Sequence, residues 1–547
     1  MSRARTQSHR RPAVLAVLLV IAVVAAAGAF LLRISGKSTT IGPSGSVYTE
    51  AVAGQYQRIN PIYASLNDVD QDLSKLVFSG LVKLGPDGTV EPDLAGLPQI
   101  STDGTVYTFK LRPNVQWQDG KPVTSGDVAF TVKSLVDPDY KGDSAVAEGW
   151  LDVTVQTPDQ QTVVVTLKQP SAPFLARSAT VGILPQHLLD SLTAQQLFEA
   201  PFNSAPIGSG PYKLESIDSH VATLVANNAY QPSPPKIGTI KLRFYSDYSG
   251  ALRALQSGDA NGLMVRETLT EQQVADLQKI KGMKVEQPQL GAYVVLYLNN
   301  DQAAFFADAN VRQAISLAID RQTLVQRVYF GIATPSSSPV APGSWAYAKQ
   351  YDRTTADITQ AKALLTQAGW TPQPATGILV KAGQEFRFTI RTDDDPTRVA
   401  VANEIARQMD PLGIKVTVAS TTFSVLRRDF LQDRKYDAAI AAWDQGPDPD
   451  PYFGWHSSQT GQAGLNLANY ANAIADDLIA KGRTSNDNVV RKDVYTQFQQ
   501  VWSQTSPSVI IAYPRYIYVQ TTSLQGVDLG VLFDGSLRFS NVASWHE

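Results

Sequence analysis

The stretch from residue 91 to residue 135 constrains the fold of this chain more than any other part of the sequence. It contains the pair Asp103-Gly104, which predicts a tight turn because aspartate can accept from nearby backbone amides and glycine tolerates positive φ. Residues 105–111 then alternate, with Tyr, Phe and Leu on one side, which predicts a half-buried strand. A capped helix is predicted from about residue 126 to residue 136. Strands and helices therefore follow each other closely in this part of the chain.

A second region repeats the alternation of strand and helix. Residues 386–391 and 413–418 are predicted as strands, and residues 397–409 between them are predicted as a helix. Residues 291–299 form a continuous apolar run, which is typical of a strand buried on both faces. Strand–helix–strand units of this kind predict an α/β fold with a partly parallel sheet.

Length and composition limit the possible classes of protein. A chain of 547 residues is too long for one hydrophobic core, so two or three lobes are expected. The net charge is −3, and the first 37 residues contain six basic residues and no acid, so the remainder carries −9. This balance argues against a nucleic-acid partner. The chain has no Cys and only five scattered His, so the sequence predicts no disulfide and no metal site or other cofactor.

The N-terminal segment is predicted to target the chain to a membrane. Residues 13–32 are an uncharged run of 20 residues, which is long enough to span a bilayer as a helix. The arginines before this run predict an N-terminus inside and residues 38–547 outside. We assign residues 1–37 to a signal peptide or, preferably, an uncleaved signal-anchor, and residues 38–46 to a linker. Cleavage near Ala27, which would release a secreted protein, is the alternative.

Three blocks of the sequence resemble the bacterial extracellular solute-binding proteins of family 5, the peptide, nickel and oligopeptide receptors of ABC importers. The blocks share spaced motifs with that family rather than single residues. They are residues 103–128, with Tyr-Thr-Phe-Lys-Leu-Arg and Asp-Gly-Lys-Pro-Val-Thr; residues 308–321; and residues 436–453, with Trp443 before a turn rich in Asp and Pro.

This resemblance implies a periplasmic-binding-protein-like α/β fold. Two main lobes with mixed sheets would surround a hinged cleft, with an inserted third lobe and a preceding transmembrane helix. The ligand would lie between lobes I and III, and the hinge segments would be near Gly291 and Pro507. The implied ranges are 47–90, 206–290 and 508–547 for lobe I, 91–205 for lobe II, and 291–507 for lobe III.

The third block supplies the first candidate ligand-binding residues. In peptide-binding relatives, an Asp three residues after the equivalent Trp pairs with the ligand's α-ammonium group. Here that position is Gly446, so the candidates are Trp443 with Asp444 or Asp448 as the replacement acid. A flat aromatic side chain at a strand end suits a small-molecule cleft. The alternatives are core packing for Trp443 and turn capping for the acids.

Two further segments supply the remaining candidates. In dipeptide-binding relatives an Arg near the strand 386–391 holds the ligand carboxylate, which implicates Arg391 or Arg398. The alternative is that the acids at 393–395 neutralise these arginines. Gln57 and Asn60 lie in a segment resembling one that lines the cleft in the family, and the alternative is a loop that only packs.

The sequence therefore predicts an extracytoplasmic substrate-binding subunit of an ABC importer. The expected ligand is a small oligopeptide, because backbone amides can pair with strand edges whatever the side chains. The expected partners are the permease and ATPase subunits, the membrane is reached through the N-terminal helix, and the chain is expected to be a monomer. No Gly-x-Ser-x-Gly or His-Glu-x-x-His motif is present, so no enzyme is predicted. The alternatives are a receptor for a nickel chelate or oligosaccharide, a secreted hydrolase, or a ligand-sensing protein.

Overall fold

Two large mixed sheets organise the fold, and most helices pack against one of them. The computed structural model describes residues 45–266, 269–301 and 303–547. The predicted N-terminal helix at 13–32 lies outside these residues, as does most of the linker. In the part of the chain described, no helix combines the length and hydropathy needed to cross a bilayer.

The seven-stranded sheet collects strands from both ends of the described chain. Its central strand, Val47–Ala53, runs parallel to both of its neighbours, and the outer strand pairs are antiparallel. Alternate residues of Thr239–Tyr245 are buried, as the alternating sequence predicts. In spatial order the strands are Met283–Glu286, Ile517–Thr521, Gly262–Val265, Val47–Ala53, Thr239–Tyr245, Val221–Ala226 and Tyr212–Ile217.

The six-stranded sheet is built around the predicted apolar strand, which spans Ala292–Leu298. Every residue of that strand after the first is buried. Arg387–Asp393 runs parallel to Lys415–Thr421, and the helix Pro396–Met409 connects them, which confirms the predicted parallel unit. In spatial order the strands are Ala333–Pro335, Ser508–Pro514, Ala292–Leu298, Ala438–Asp444, Arg387–Asp393 and Lys415–Thr421.

A four-stranded antiparallel sheet contains the predicted strand of the stretch 91–135. The predicted strand is Val106–Lys110, which buries Tyr107 and Phe109, and the predicted helix is Ser125–Leu135 with a capping box between Thr124 and Asp127. In spatial order the strands are Gln99–Ile100, Val106–Lys110, Thr162–Thr166 and Thr154–Asp159.

Helices cover both faces of the large sheets, and shorter helices surround the four-stranded sheet. Tyr248–Ser257 ends at Gly258, whose left-handed backbone (φ 82°) closes the last turn. The other α-helices with at least eight residues are Asp68–Val77, Glu271–Gln278, Ala309–Ala318, Arg321–Val328, Ile358–Gln367, Ala473–Thr484 and Asn488–Thr505. The shorter ones are Ser144–Glu148, Phe174–Arg177, Gln186–Leu189, Ala194–Phe198, Phe423–Val425 and Tyr452–Trp455.

The chain crosses between the two large sheets at two places. One crossing runs through residues 287–291, just before the strand Ala292–Leu298. The other was expected near Pro507, but Ser508–Pro514 pairs with Ala292–Leu298 inside the six-stranded sheet. The chain enters the seven-stranded sheet only at Ile517. The second crossing is therefore at residues 515–516, and the strand before it belongs with the six-stranded sheet.

A buried charge cluster joins the beginning of the described chain to its end. Arg538 is fully buried and donates to the carboxylates of Glu50 and Asp72 at 2.6–2.9 Å. Asp72 also accepts from Arg266 at 2.8 Å. Burial alone would raise the pKa of Asp72, but the two guanidinium groups outweigh it and hold that pKa below its usual value. The cluster fixes the first strand, the first long helix and the C-terminal segment around Arg266.

Candidate ligand cleft

A cavity of about 170 Å³ lies between the two large sheets, beside both chain crossings. Residues from both sheets and from the second crossing contribute to its walls. Larger cavities lie elsewhere: one of about 980 Å³ is lined by residues 300–505 alone, one of about 330 Å³ lies between residues 145–178 and residues 450–483, and one of about 210 Å³ lies beside the charge cluster around Arg538. The smaller cavity is the one enclosed by both sheets, so we take it as the candidate ligand cleft. Its polar and aromatic wall residues are Arg266, Tyr329, Asp395, Thr397, Arg398, Arg515 and Tyr516.

Arg398 is the predicted site residue that the structure places in this cavity. Its Nε donates to the Asp393 carboxylate at 2.6 Å, and its Nη2 lies 3.7 Å from the Asp395 carboxylate. Asp395 also caps the helix by accepting from the Arg398 backbone N–H. Burial lowers the pKa of Arg398, but these carboxylates outweigh burial and raise it overall. The acids therefore neutralise Arg398 in part, as the alternative interpretation expected.

Arg391 is held away from the cavity. Its guanidinium carbon lies 3.7 Å from the centre of the Phe430 ring, which is a cation–π contact. Arg391 is not among the cavity wall residues. Of the two predicted arginines, the structure brings only Arg398 to the cleft.

Trp443 lies on the face of the six-stranded sheet opposite the cavity. It pairs with Tyr293, while its neighbour Ala442 pairs with Val294, and both Ala442 and Val294 line the cavity. Successive side chains of a strand point to opposite faces, so Trp443 points away. It is half-buried against the core that contains Tyr293, and its ring blocks the space beside Gly454. These contacts match the core-packing interpretation.

Asp444 ends the same strand two residues after Ala442 and on the same face of the sheet, although it is not itself a residue of the cavity wall. The residue is exposed, and its carboxylate accepts from the Gly446 N–H at 2.8 Å. Desolvation of the carboxylate by nearby protein raises its pKa, the charge of Asp534 adds to this, and the Gly446 amide and the Arg177 guanidinium oppose it. Asp444 is therefore an accessible acid without an ion-pair partner within 4 Å among the residues described.

Asp448 is occupied by a buried ion pair. It is 4% exposed, and its carboxylate accepts from Arg491 at 2.6 Å. It also accepts from the Asp450 backbone N–H, and Asp450 in turn pairs with Arg483 at 2.9 Å. Both candidate acids accept from a backbone N–H two residues further on, as the turn-capping interpretation expects, and Asp448 is in addition held in an ion pair.

Gln57 and Asn60 belong to a loop that packs against the inserted segment. Asn60 is fully buried, donates to the Asn203 side chain at 2.9 Å and accepts from the Ile62 N–H. The Gln57 side chain is exposed, and its backbone N–H donates to Asp70 at 2.7 Å. Neither residue lines the cavity between the large sheets.

Sequence reasoning missed three polar residues in the cavity wall. Arg266 follows a strand of the seven-stranded sheet, Tyr329 ends the helix Arg321–Val328, and Arg515 lies in the second crossing. No local motif marks them, because they come from segments far apart in the chain. In the part of the chain described, no group of three His, Cys, Asp or Glu is arranged to hold a metal ion.

Residues 89–464 match the family described as bacterial extracellular solute-binding proteins, family 5 Middle. The chain belongs to this family. It is 29% identical over 522 residues to the oligopeptide-binding protein AppA of Bacillus subtilis, covering 94% of this chain and 95% of AppA. It is 30% identical over 386 residues to a putative ABC transporter peptide-binding protein of Brucella ovis, covering 69% of each.

Solved structures of family 5 proteins extend the likeness over nearly the whole described chain. NikZ from Campylobacter jejuni, solved in complex with Ni(L-His), superposes with a TM-score of 0.67 at 26% identity, covering 92% of this chain and 99% of NikZ. AppA from Bacillus subtilis, solved in complex with a nonapeptide, gives 0.64 at 28% identity, covering 91% and 98%. The mixed α/β fold is thus the fold of family 5 binding proteins.

Proposed function

We propose that this chain is the substrate-binding subunit of an ABC importer and that it captures a small oligopeptide. The observation that carries the proposal is the cavity between two sheets joined by two short crossings, in a chain of family 5. Several relatives that match over most of their length are described as peptide-binding proteins. The chain is proposed as a carrier of solute and not as an enzyme.

The two crossings suit a hinge between two lobes. We place lobe I at about residues 47–90, 206–290 and 516–547, the inserted lobe II at 91–205, and lobe III at 291–515. The sheet memberships of the strands support this division and move the last boundary from 507 to the second crossing. Rotation about the two crossings would close the cleft over a ligand and present a closed surface to the permease.

Both predicted residues that we propose as ligand contacts belong to lobe III, and lobe I faces them across the cavity with Arg266. Asp444 is proposed to pair with a cationic group such as a peptide α-ammonium, because it is accessible and has no ion-pair partner among the residues described. Arg398 is proposed to contact an anionic group, since it lines the cavity. Gln57, Asn60, Asp448, Arg391 and Trp443 are proposed to act through packing, because none of them lines this cavity.

The location of the chain is proposed from its N-terminal sequence. A signal-anchor at residues 13–32 would hold a monomer on the outer side of the cell membrane, beside the permease and ATPase subunits. Cleavage near Ala27 would release it instead. Fractionation of the native host followed by N-terminal sequencing distinguishes the two, because only the anchored form remains with the membrane and retains residue 13.

Native mass spectrometry of residues 38–547, purified gently from the native host, tests the proposed function. A set of short peptides released on denaturation is the expected result. Protein that is empty and also shows no thermal shift with peptides would contradict the proposal.

A nickel chelate is the second candidate ligand, because NikZ in complex with Ni(L-His) is among the similar structures. Thermal shift with Ni(L-His), alongside histidine alone and nickel alone, separates this candidate from the peptide. A shift that requires both components, in protein that ignores peptides, would favour the chelate.

A further inference from the structure

We infer that the cavity between the large sheets contains a carboxylate-binding subsite formed by Arg515 and the hydroxyl group of Tyr329. The subsite would hold an anionic group of the ligand directly beside the second crossing. The inference rests on the proposed function, because it assumes that the chain binds a solute. It names two residues, neither of them predicted from the sequence, that would bind one chemical group of that solute.

Arg515 is the arginine of the cavity wall whose charge is not matched by a protein carboxylate. Its Nε donates to the Thr334 hydroxyl at 3.0 Å. Among the residues that the structure describes, no carboxylate lies within 4 Å of its guanidinium group. Its two terminal nitrogens therefore keep their N–H groups for another acceptor, and a guanidinium can bind both oxygens of a carboxylate at once.

The other two arginines of the cavity wall are paired. Arg266 contacts Asp68 at 3.3 Å and Asp72 at 2.8 Å. Arg398 contacts Asp393 and Asp395. Because these carboxylates balance Arg266 and Arg398, the positive charge of the cavity wall that is left without an acid is that of Arg515. A ligand that binds Arg515 would not have to displace a protein carboxylate.

Tyr329 supplies an independent sign of a ligand contact. Its side chain is only 7% exposed, and its hydroxyl group has no hydrogen-bond partner among the described residues. Buried polar atoms are rarely left unpaired in folded proteins. Burial raises its pKa above the usual value, so the hydroxyl keeps its proton and can donate. A carboxylate at Arg515 has lone pairs left to accept from such a hydroxyl.

The position of the subsite connects binding to the hinge. Arg515 lies between Ser508–Pro514, which belongs to the six-stranded sheet, and Ile517–Thr521, which belongs to the seven-stranded sheet. Tyr329 comes from the helix that precedes the strand Ala333–Pro335 of the six-stranded sheet. An anion between them contacts the segment whose backbone must turn when the lobes close, so binding would favour one hinge arrangement.

The carboxylate could come from a peptide C-terminus or from an acidic side chain. Three peptides distinguish these sources: Ala-Ala-Ala, its C-terminal amide, and Ala-Ala-Asp amide. Titration calorimetry of residues 38–547 with each peptide, and with succinate as a non-peptide dicarboxylate, gives the dissociation constants. We expect the amide of Ala-Ala-Ala to bind about 10- to 100-fold more weakly than the free acid, the loss typical of one charge-assisted contact. Recovery with Ala-Ala-Asp amide would assign the subsite to side chains.

Two variants test the assigned residues, and a third variant serves as the control. Arg515→Gln should weaken Ala-Ala-Ala by about 10- to 100-fold and leave its amide unchanged. Tyr329→Phe should weaken the acid while leaving the melting temperature of the empty protein equal or higher, because it removes an unpaired buried hydroxyl. Arg353→Gln changes an exposed arginine outside the cavity wall and should have no effect.

The outcomes separate this inference from the proposed function. Equal binding of the free acid and both amides by the native protein and Arg515→Gln would overturn the subsite and leave peptide capture intact. Binding of succinate that depends on Arg515, without binding of any peptide, would support the subsite and overturn peptide capture. No binding of any of these compounds would overturn both.

Discussion

Two acids in one turn differ in whether their side chains are accessible to a ligand. Asp444 and Asp448 are four positions apart in one acidic turn, yet the first is open to solvent and the second is enclosed by Arg491. An enclosed acid stabilises the turn, and an open acid can pair with a ligand. The difference arises from partners on a distant helix, Asn488–Thr505, and not from the turn itself.

Asp444→Asn should weaken the binding of peptides with a free amino group by about 10- to 100-fold, equivalent to about 1.5–3 kcal/mol for a charge-assisted hydrogen bond. The substitution keeps the acceptor for the Gly446 N–H and removes the negative charge. Calorimetry with a peptide and its N-acetylated form measures the effect. Asp429→Asn, at an exposed acid paired with Arg428, is the control. If the native protein does not distinguish the acetylated peptide, Asp444 does not hold an ammonium group.

Asp70 should make the stability of the protein fall as the pH rises from about 4 to 7. Burial raises its pKa to about 6, although the Gln57 and Arg58 amides oppose the shift. The folded state then binds more protons than the unfolded state, whose aspartate has a pKa of about 3.9, so stability is lost as pH rises between these values. Over this range we expect the free energy of unfolding of the native protein to fall by about 1–2 kcal/mol more than that of Asp70→Asn. Urea unfolding at pH 4 and pH 7 measures it, and parallel pH profiles would contradict it.

Elements far apart in the sequence are held together by buried charges as well as by sheets. Arg538 connects the first strand to the helix Asp68–Val77 and to the C-terminal segment, and no part of it is exposed. Because each carboxylate in this cluster would be costly to bury alone, the elements depend on one another for their stability.

Arg538→Met should destabilise the protein by about 3–5 kcal/mol, since it leaves Glu50 and part of Asp72 buried without their partner. Arg428→Met removes an exposed ion pair and should cost less than about 1 kcal/mol. Chemical unfolding of both variants gives the comparison. Equal losses of stability in the two variants would show that the buried cluster contributes no more to stability than an exposed ion pair.

The sequence predicted the elements better than their assembly. Strands such as Ala292–Leu298 and helices such as Ser125–Leu135 follow from local periodicity and caps, and they are confirmed. The second crossing was misplaced because Ser508–Pro514 is uniformly apolar and would suit the core of either sheet. The face on which Trp443 lies depends on its pairing with Tyr293, which no local pattern encodes.

The candidate site could be predicted only in part for the same physical reason. Arg398 and Asp444 lie at strand and helix ends that the sequence marks with acids and a proline. Arg266, Tyr329 and Arg515 are brought together by the packing of two sheets, and each stands alone in its own segment. Their place in one cavity wall follows from the packing of the sheets and not from any local pattern.

At the scale of the whole molecule, the two short crossings are the segments that we propose as the hinge. The two crossings are adjacent, because Gln289 and Arg515 form a β-bridge, and residues of both crossings line the candidate cleft. The inserted lobe II contacts lobe III through the helix Phe174–Arg177, whose Arg177 donates to the Gln445 carbonyl at 3.0 Å. A ligand that contacts both sheets should therefore change the overall dimensions of the protein.

Addition of a bound peptide should decrease the radius of gyration and raise the melting temperature. At about 100 times the dissociation constant the stabilisation should be about 2.7 kcal/mol. Small-angle scattering with and without peptide measures the first quantity, and calorimetry measures the second. A peptide that stabilises the protein without any change in its dimensions would contradict closure about the two crossings.

The central strand of the seven-stranded sheet, Val47–Ala53, has consequences for the order in which the protein is made. Its neighbours come from residues 239–245 and 262–265, the next strand from residues 517–521, and its Glu50 is neutralised by Arg538. Before residues 517–538 have been made, this sheet lacks both a strand and the charge partner of Glu50. Contacts that span so much of a chain form slowly. We therefore expect lobe I to complete its folding only after Arg538 has been added.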